Sequence, residues 1–274
     1  MAKRPATSDP KKPPHGLIAE LAQALERDEF FLVYQPTIDL QTNAFAGVEA
    51  LIRWRHPQRG VLKPDLFIDE LEASGQIVEV GRWALNTACS QGAIWHDKGY
   101  RFAVSVNVSP KQFESGEFVD DVAGALAASE FDPALLVLEF SQTTILETKE
   151  SSLPRLHELK AFGVRFAVDD FEPGRSVLDD LQEFTIDVVK LDRQFIAGMS
   201  SSSSAAALVR ELVQRGKTRH LQIIASGIEN AEQRKQLQIE EVNTGQGYLF
   251  SVPHEAEEID RFLEDFAIFS GKPL

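Results

Sequence analysis

Eight short, almost continuously apolar segments alternate along the chain with stretches of helical periodicity. Each segment is rich in β-branched and aromatic residues, which is typical of a buried strand, and Pro64 opens one of the helical stretches, 64–74. Apolar strands separated by helices indicate a parallel sheet that is covered by helices. The predicted strands are 30–35, 45–52, 102–108, 135–140, 164–170, 186–191, 221–226 and a weaker 243–250.

About eight strand and helix units in roughly 250 residues predict an α/β fold with a single (β/α)8 TIM-like barrel. A doubly wound open sheet is the structural alternative, because it shows the same alternation. The first fifteen residues differ from the rest, since they carry four basic residues, four prolines and no aromatic side chain. We therefore expect 1–15 to be a disordered basic tail and 16–274 to form one domain.

The formal net charge of the chain is −14, and it becomes more negative once the basic tail is set aside. Such a body repels polyanions, which argues against binding to a nucleic-acid polymer or to an anionic membrane surface. Cys89 is the single cysteine, so no disulfide framework forms within one chain. No apolar run is long enough for a membrane span, and no signal-peptide core is present, so we expect a cytoplasmic protein.

Polar residues interrupt the apolar segments mainly where the predicted strands end. In a barrel the carboxyl ends of the strands meet on one face, so these residues would line one pocket although they are far apart in sequence. For any single position the alternative is a polar side chain that bonds to a loop backbone. The residues are Glu49, Asn107, Glu139, Asp169 with Asp170, Lys190 and Gln246.

Four carboxylates around one mouth would raise one another's pKa unless hard cations lay among them. Oxygen ligands favour Mg²⁺ or Mn²⁺, and metals in such a site suit hydrolysis of a phosphate ester. Lys190 and Arg53 would add positive charge. Asp169 and Asp170 point to opposite sides of an ideal strand, so both reach a metal only if the chain turns there, which spacing alone leaves open.

An ordered series of segments carries a resemblance to a known family. YQPTIDL at 34–40 and GVEALIRWRHP at 47–57 are followed by VSVNVS, VLEFSQT, AVDDF, VVKLDRQF and GQGYLF. In order and spacing they resemble the EAL-domain cyclic di-GMP phosphodiesterases over residues 30–253. The resemblance implies a barrel, a bound cyclic di-GMP and, in active members, two metals that help water open the ring to linear pGpG.

The resemblance also implies roles for individual residues. Lys190, near the attacking water, and Asp170, at the second metal, would be catalytic, and Glu229 matches a supporting acidic position. The implied metal ligands are Glu49, Asn107, Glu139, Asp169 and Asp170. The implied ligand-binding residues are Gln35, Glu49, Leu51, Arg53, Asn107 and Gln246.

Three departures from the family pattern make this chain a degenerate member. Ser226 stands where the family has the first glutamate of its A-E-G-V-E segment. Gln142 replaces the second glutamate of a pair after the third motif, and it cannot act as an anionic anchor for a loop. The segment 172–177 reads EPGRSV in place of a Gly-Thr-Gly-Tyr-Ser-Ser run, and its proline fixes φ and removes a donor.

Three functions compete on these observations. The leading hypothesis is a cyclic di-GMP receptor with impaired or absent hydrolysis, which passes its state to a protein effector partner. The second is a slow, metal-dependent phosphodiesterase that produces pGpG, with water or Glu229 covering for Ser226. The third is a protein-binding adaptor that no longer binds nucleotide. A homodimer is open at this stage, as is the identity of the effector.

Overall fold

A computed structural model of the protein describes residues 17–147, 153–172, 185–199 and 203–270. The predicted tail, 1–15, lies outside these residues. The described part contains a strand at each of the eight predicted positions and one additional short strand. The strands are β1 (Phe30–Asp39), β2 (Phe45–His56), β3 (Gly60–Leu62), β4 (Ala103–Asn107), β5 (Leu136–Ser141), β6 (Arg165–Phe171), β7 (Val188–Leu191), β8 (Gln222–Ala225) and β9 (Thr244–Gln246).

Eight of these strands close into a barrel. Their order is β1, β2, β4, β5, β6, β7, β8 and β9, and β9 pairs with β1 to complete the ring. The short β3 pairs with β2 alone and extends it beyond the barrel as a hairpin. The predicted TIM-like barrel is thus confirmed, and the open doubly wound sheet is not what forms.

The expectation of a parallel sheet is wrong for one strand, because β1 runs antiparallel to both of its neighbours, β2 and β9. The connection of residues 40–44 between β1 and β2 is too short for a crossover and allows only a hairpin. Asp39 shapes this turn, since its Oδ1 accepts hydrogen bonds from the backbone N–H groups of Gln41 at 3.0 Å and Thr42 at 2.7 Å. Asn43 completes it with φ of +61°.

Helices surround the barrel. The predicted helical stretch at 64–74 forms the 3₁₀ turn Pro64–Leu66 and the helix Ile68–Ser74, and a second 3₁₀ turn, Pro133–Leu135, precedes β5. No helix in the described part of the chain has the length and apolar character that a membrane crossing requires. The helices are α1 (Leu17–Ala24), α2 (Ile68–Ser74), α3 (Ile77–Asp97), α4 (Pro110–Glu114), α5 (Phe118–Ser129), α6 (Gln142–Glu147), α7 (Leu153–Ala161), α8 (Arg193–Met199), α9 (Ser203–Arg219), α10 (Ala231–Ile239) and α11 (Ala256–Ser270).

A second, smaller hydrophobic cluster lies outside the main core, where α1 packs against Trp54 of β2 and Phe67. His56 is buried beside it, with its ring 4.8 Å from that of Trp54, and its Nε2 contacts the carboxylate of Glu20 in α1. The cluster fixes the hairpin and α2 beside the barrel mouth.

The hydrophobic core contains aromatic rings that pack edge to face, and they lead to a stability prediction. Phe140 of β5 is fully buried, 5.2 Å from the ring of Phe113 and 5.7 Å from that of Phe166. We expect Phe140→Ala to lower the free energy of unfolding in urea by about 3–5 kcal/mol, through lost burial and the cavity it leaves. Phe162→Ala, at a position that is 38% exposed, is the control and should cost about 1 kcal/mol or less. Equal losses would contradict this placement of the core.

Candidate functional site

The carboxyl ends of four strands bring one lysine together with three carboxylates. Lys190 of β7 is buried, and its Nζ donates hydrogen bonds to Glu49 Oε2 at 3.0 Å, to Asp169 Oδ2 at 3.1 Å and to Glu139 Oε2. Glu49 comes from β2, Glu139 from β5 and Asp169 from β6. Residues more than a hundred positions apart in sequence therefore meet at one point, as the barrel requires.

Burial and charge in this cluster shift the pKa of Glu139, Glu49 and Lys190. Burial raises the pKa of the Glu139 carboxyl to about 8, and the attraction of Lys190 offsets only part of that shift. Burial also acts to raise the pKa of Glu49, but Lys190 and hydrogen bonds from two side-chain amides outweigh it, and this pKa lies below its usual value. Burial disfavours the charged form of Lys190, yet the three carboxylates hold its pKa well above the usual range. One ammonium group faces more negative charge than it can balance.

Two amides complete the site on the β1 and β9 side. Gln246 Nε2 donates to Glu49 Oε2 at 2.8 Å and to Gln35 Oε1 at 3.0 Å. On the β4 side, Asn107 Nδ2 donates to Glu49 Oε1 at 2.9 Å. Glu49 thus lies at the centre of a network, because three side chains predicted from the sequence, Asn107, Lys190 and Gln246, bond to it directly.

The geometry of Asp169 and Asp170 answers the question that spacing left open. The pairing of β6 with β7 shifts register between Val168 and Phe171, and Asp170 has φ of +51°. The chain therefore turns within the strand, so that both aspartates line the same mouth. Burial and the charge of Asp169 raise the pKa of Asp170.

The residues that replace the glutamates of the resembled pattern lie on opposite sides of this mouth. Ser226, just after β8, has a buried Oγ that makes no hydrogen bond within the described structure. Gln142, at the start of α6, accepts a hydrogen bond through its Oε1 from the backbone N–H of Glu172 at 3.2 Å. The neutral amide thus still contacts the start of the segment after β6. Residues 173–177 of that segment, including Pro173, lie outside the described residues.

Two adjoining cavities open at the mouth. The smaller, about 260 Å³, is polar, and Gln35, Leu51 and Gln246 lie in its wall with the two aspartates. The larger, about 590 Å³, extends between α2 and α3 and has Asn107 and Glu139 in its wall. Glu49, Leu51, Asp169 and Asp170 line both. Together they form a site with a charged centre and an apolar side.

Arg53 is the predicted ligand-binding residue that does not line either cavity. Its Nη1 donates to the backbone oxygen of the neighbouring Ile52 at 2.8 Å. Burial lowers the pKa of its guanidinium, and the nearby acidic side chains of Asp65 and Glu49 act in the opposite direction. The side chain is therefore near the mouth, but its described hydrogen bond is local.

Other wall residues were missed by the sequence reasoning. Arg193, Gly227 and Tyr248 line the smaller cavity, and Ile68 and Ile77 line the larger one. Arg193 and Tyr248 each follow a strand by two residues, and the search for polar residues inside strand ends did not reach that far. In the sequence, the apolar residues of this wall cannot be distinguished from ordinary core residues.

The cluster has a donor set that fits a divalent cation. One carboxylate oxygen from each of Glu49, Glu139 and Asp169 lies within 4.8 Å of the other two. Asn107 uses its amide NH₂ group on Glu49, which leaves its amide oxygen for a cation. Carboxylate and amide oxygens are the ligands that hard cations such as Mg²⁺ and Mn²⁺ prefer.

Comparison with curated proteins finds relatives that are much longer than this chain. MucR of Pseudomonas aeruginosa, named a bifunctional diguanylate cyclase/cyclic di-GMP phosphodiesterase, is 38% identical over 244 residues, which cover 89% of this chain and 36% of MucR. The signalling protein YkoW of Bacillus subtilis is 33% identical, with 89% of this chain and 30% of YkoW covered. The chain spans about a third of the length of these relatives.

Comparison with solved structures finds the same barrel. The structure named "PaMucR Phosphodiesterase, c-di-GMP complex" matches with a TM-score of 0.84 and 38% identity, covering 89% of this chain and 99% of that one. The EAL enzyme Bd1971, in a form bound to cAMP and cyclic di-GMP, matches with a TM-score of 0.82 and 29% identity over 90% of this chain and 68% of that one. The family model described as the EAL domain matches residues 18–253. The chain therefore belongs to the EAL domain family.

Proposed function

We propose that this EAL domain binds cyclic di-GMP as a second-messenger receptor and hydrolyses it slowly or not at all. The observation that carries this proposal is a contrast between two sets of residues at the same barrel mouth. The groups proposed to hold the ligand, Gln35, Gln246 and Glu49, form one bonded network, while the position of a family glutamate holds the unpartnered hydroxyl of Ser226. The state of the domain would then pass to a protein effector.

Several features support binding of a cyclic dinucleotide. The polar cavity provides amide donors and acceptors for bases and sugars, and the adjoining apolar cavity between α2 and α3 has room for a base. The MucR structure that matches this chain at 38% identity is named as a cyclic di-GMP complex. The overall negative charge of the protein makes these local contacts necessary for an anionic ligand.

A slow phosphodiesterase is the second candidate, because the three-carboxylate cluster is complete. Glu49, Glu139, Asp169 and the amide oxygen of Asn107 would hold one Mg²⁺ or Mn²⁺ ion. A bound divalent cation supplies charge neutralisation at a phosphate and lowers the pKa of a water molecule. Asp170 would contribute to a second ion, and the neutral Ser226 leaves that second position with one fewer anionic ligand. Loss of such a group costs about 10² or more in rate.

Titration calorimetry with intact cyclic di-GMP, with and without Mg²⁺, tests binding. We expect heat with a micromolar dissociation constant, and we expect Gln246→Ala to weaken binding because it removes the donor to both Gln35 and Glu49. Gln238→Ala, on α10 with its Nε2 bonded to the backbone oxygen of Leu40, is the control and should bind as the wild type does. A folded protein that gives no heat under either condition would contradict the receptor proposal and favour the adaptor alternative.

Restoring the family glutamate tests the cause of impaired hydrolysis. We expect Ser226→Glu to raise the rate of pGpG formation with Mg²⁺ or Mn²⁺ by about 100-fold, because it returns an anionic ligand beside Asp170. The rate is measured by chromatography of pGpG. Ser226→Ala should give no gain, and adding Glu49→Gln to Ser226→Glu should abolish the gain. A wild type that is as fast as Ser226→Glu would refute the proposed impairment.

Lys190 and a metal ion would each offset the charge of the same three carboxylates, and this leads to a separate prediction. Lys190→Met removes the ammonium that bonds all three carboxylates, so we expect it to lower the free energy of unfolding by about 3–5 kcal/mol. Because a cation would replace the lost charge, Mg²⁺ should raise the melting temperature of this variant more than that of the wild type.

Lys98→Met is the matched control, because Lys98 pairs with Asp260 at 2.7 Å on the surface, where the loss should be about 1 kcal/mol or less. Melting curves with and without Mg²⁺ measure both effects. If Mg²⁺ stabilises wild type, Lys190→Met and Lys98→Met equally, the carboxylate cluster is not the metal site.

A further inference from the structure

Lys190 and Arg193 are the two cations that line the smaller cavity of the described mouth. Lys190 is unavailable to an anionic ligand, because an ammonium group has three donors and all three bond to carboxylates. Turning one donor to a phosphate would leave a buried carboxylate without its partner, which is costly. Among the side chains described in the wall of this cavity, Arg193 is then the cation that is left for a phosphate.

Arg193 lies on the Ser226 side of the same cavity, where its side chain packs against the backbone of Gly227. Gly227 has φ of +72°, and a Cβ at that position would lie 2.3 Å from Arg193 Cγ and 2.8 Å from Cδ. The aliphatic part of the arginine thus packs directly on the glycine next to Ser226. Glu229 and Tyr248 line the same cavity.

The partner of Arg193 holds it weakly. Arg193 Nη2 donates to Glu229 Oε1 at 2.7 Å, and the two side chains are 66% and 50% exposed. Ion pairs of this exposure contribute little to stability, because water and salt screen them. The guanidinium can therefore exchange Glu229 for another anion at small cost, unlike Lys190 in its buried cluster.

We propose that Arg193 is a phosphate-binding residue of this domain, which leaves Glu229 and binds a phosphate of the cyclic dinucleotide at the Ser226 side of the mouth. The inference rests on the proposed function. A guanidinium can form two parallel hydrogen bonds to a phosphate, whereas Arg193 makes one hydrogen bond to Glu229 in the described structure. The neutral Ser226 adds no negative charge that would repel the phosphate there.

Calorimetric titration of cyclic di-GMP into three single variants tests the proposal. Arg193→Gln should weaken binding roughly 10-fold or more, because it removes a charged hydrogen-bond donor. Glu229→Gln should tighten binding several-fold, because it frees the guanidinium. Arg101→Gln is the control of equal charge change, since Arg101 pairs with Asp132 at the opposite end of the barrel, and it should bind as the wild type does.

The double variant Arg193→Gln with Glu229→Gln separates the proposed exchange from a general charge effect. If Glu229 acts through Arg193, its gain disappears when Arg193 is absent. The melting temperatures of the ligand-free variants should stay close to that of the wild type, because the exposed pair contributes little stability.

Three results would overturn the proposal while cyclic di-GMP still binds the wild type. The first is an unchanged affinity in Arg193→Gln, and the second is a gain from Glu229→Gln that persists in the double variant. The third is an equal loss in Arg193→Gln and Arg101→Gln. Absence of heat in the wild type is a different outcome, because it refutes the proposed function itself.

Discussion

The barrel mouth depends on one buried ammonium group, which bonds three carboxylates and offsets part of their negative charge. Lys190 bonds carboxylates from three different strands, and none of the four groups would be stable there alone, because burial disfavours each charge. The arrangement fixes the relative positions of the strand ends. It also concentrates negative charge, so the same cluster that stabilises the mouth is a ready set of ligands for a divalent cation.

Much of the fold could be predicted, because short and almost continuously apolar segments indicate strands that are buried on both faces. Each of the eight predicted segments forms a barrel strand. The direction of β1 was not predicted, although the connection at 40–44 is short enough to require a hairpin. The repeated alternation of strand and helix suggested a parallel sheet throughout. The connection between β1 and β2 lacks a helix, and this should have indicated an antiparallel pair.

The predicted site residues meet because barrel topology brings the strand ends together. This could be predicted without knowledge of the side-chain conformations. The turn that directs Asp169 and Asp170 to one side was beyond prediction, since it rests on a register shift and a positive φ at Asp170. Arg193 was missed for a related reason. Its direction depends on how its stem packs on Gly227, which sequence spacing does not report.

The departures at Ser226 and Gln142 have different structural consequences. Gln142 keeps a hydrogen bond to the chain after β6, so a neutral amide preserves part of the anchoring contact. Ser226 has a buried hydroxyl that makes no hydrogen bond within the described structure, in the wall of the cavity that Asp169 and Asp170 also line. The impairment that we propose is therefore concentrated on the Ser226 side, while the Glu49 network remains complete.

The fate of the bound nucleotide is the most direct test of binding without turnover. The protein, in molar excess over cyclic di-GMP and with Mg²⁺ present, is incubated for hours and separated from free ligand by gel filtration. The nucleotide that stays with the protein is then released and identified by chromatography. The account predicts intact cyclic di-GMP on the protein, and complete conversion to pGpG would contradict it.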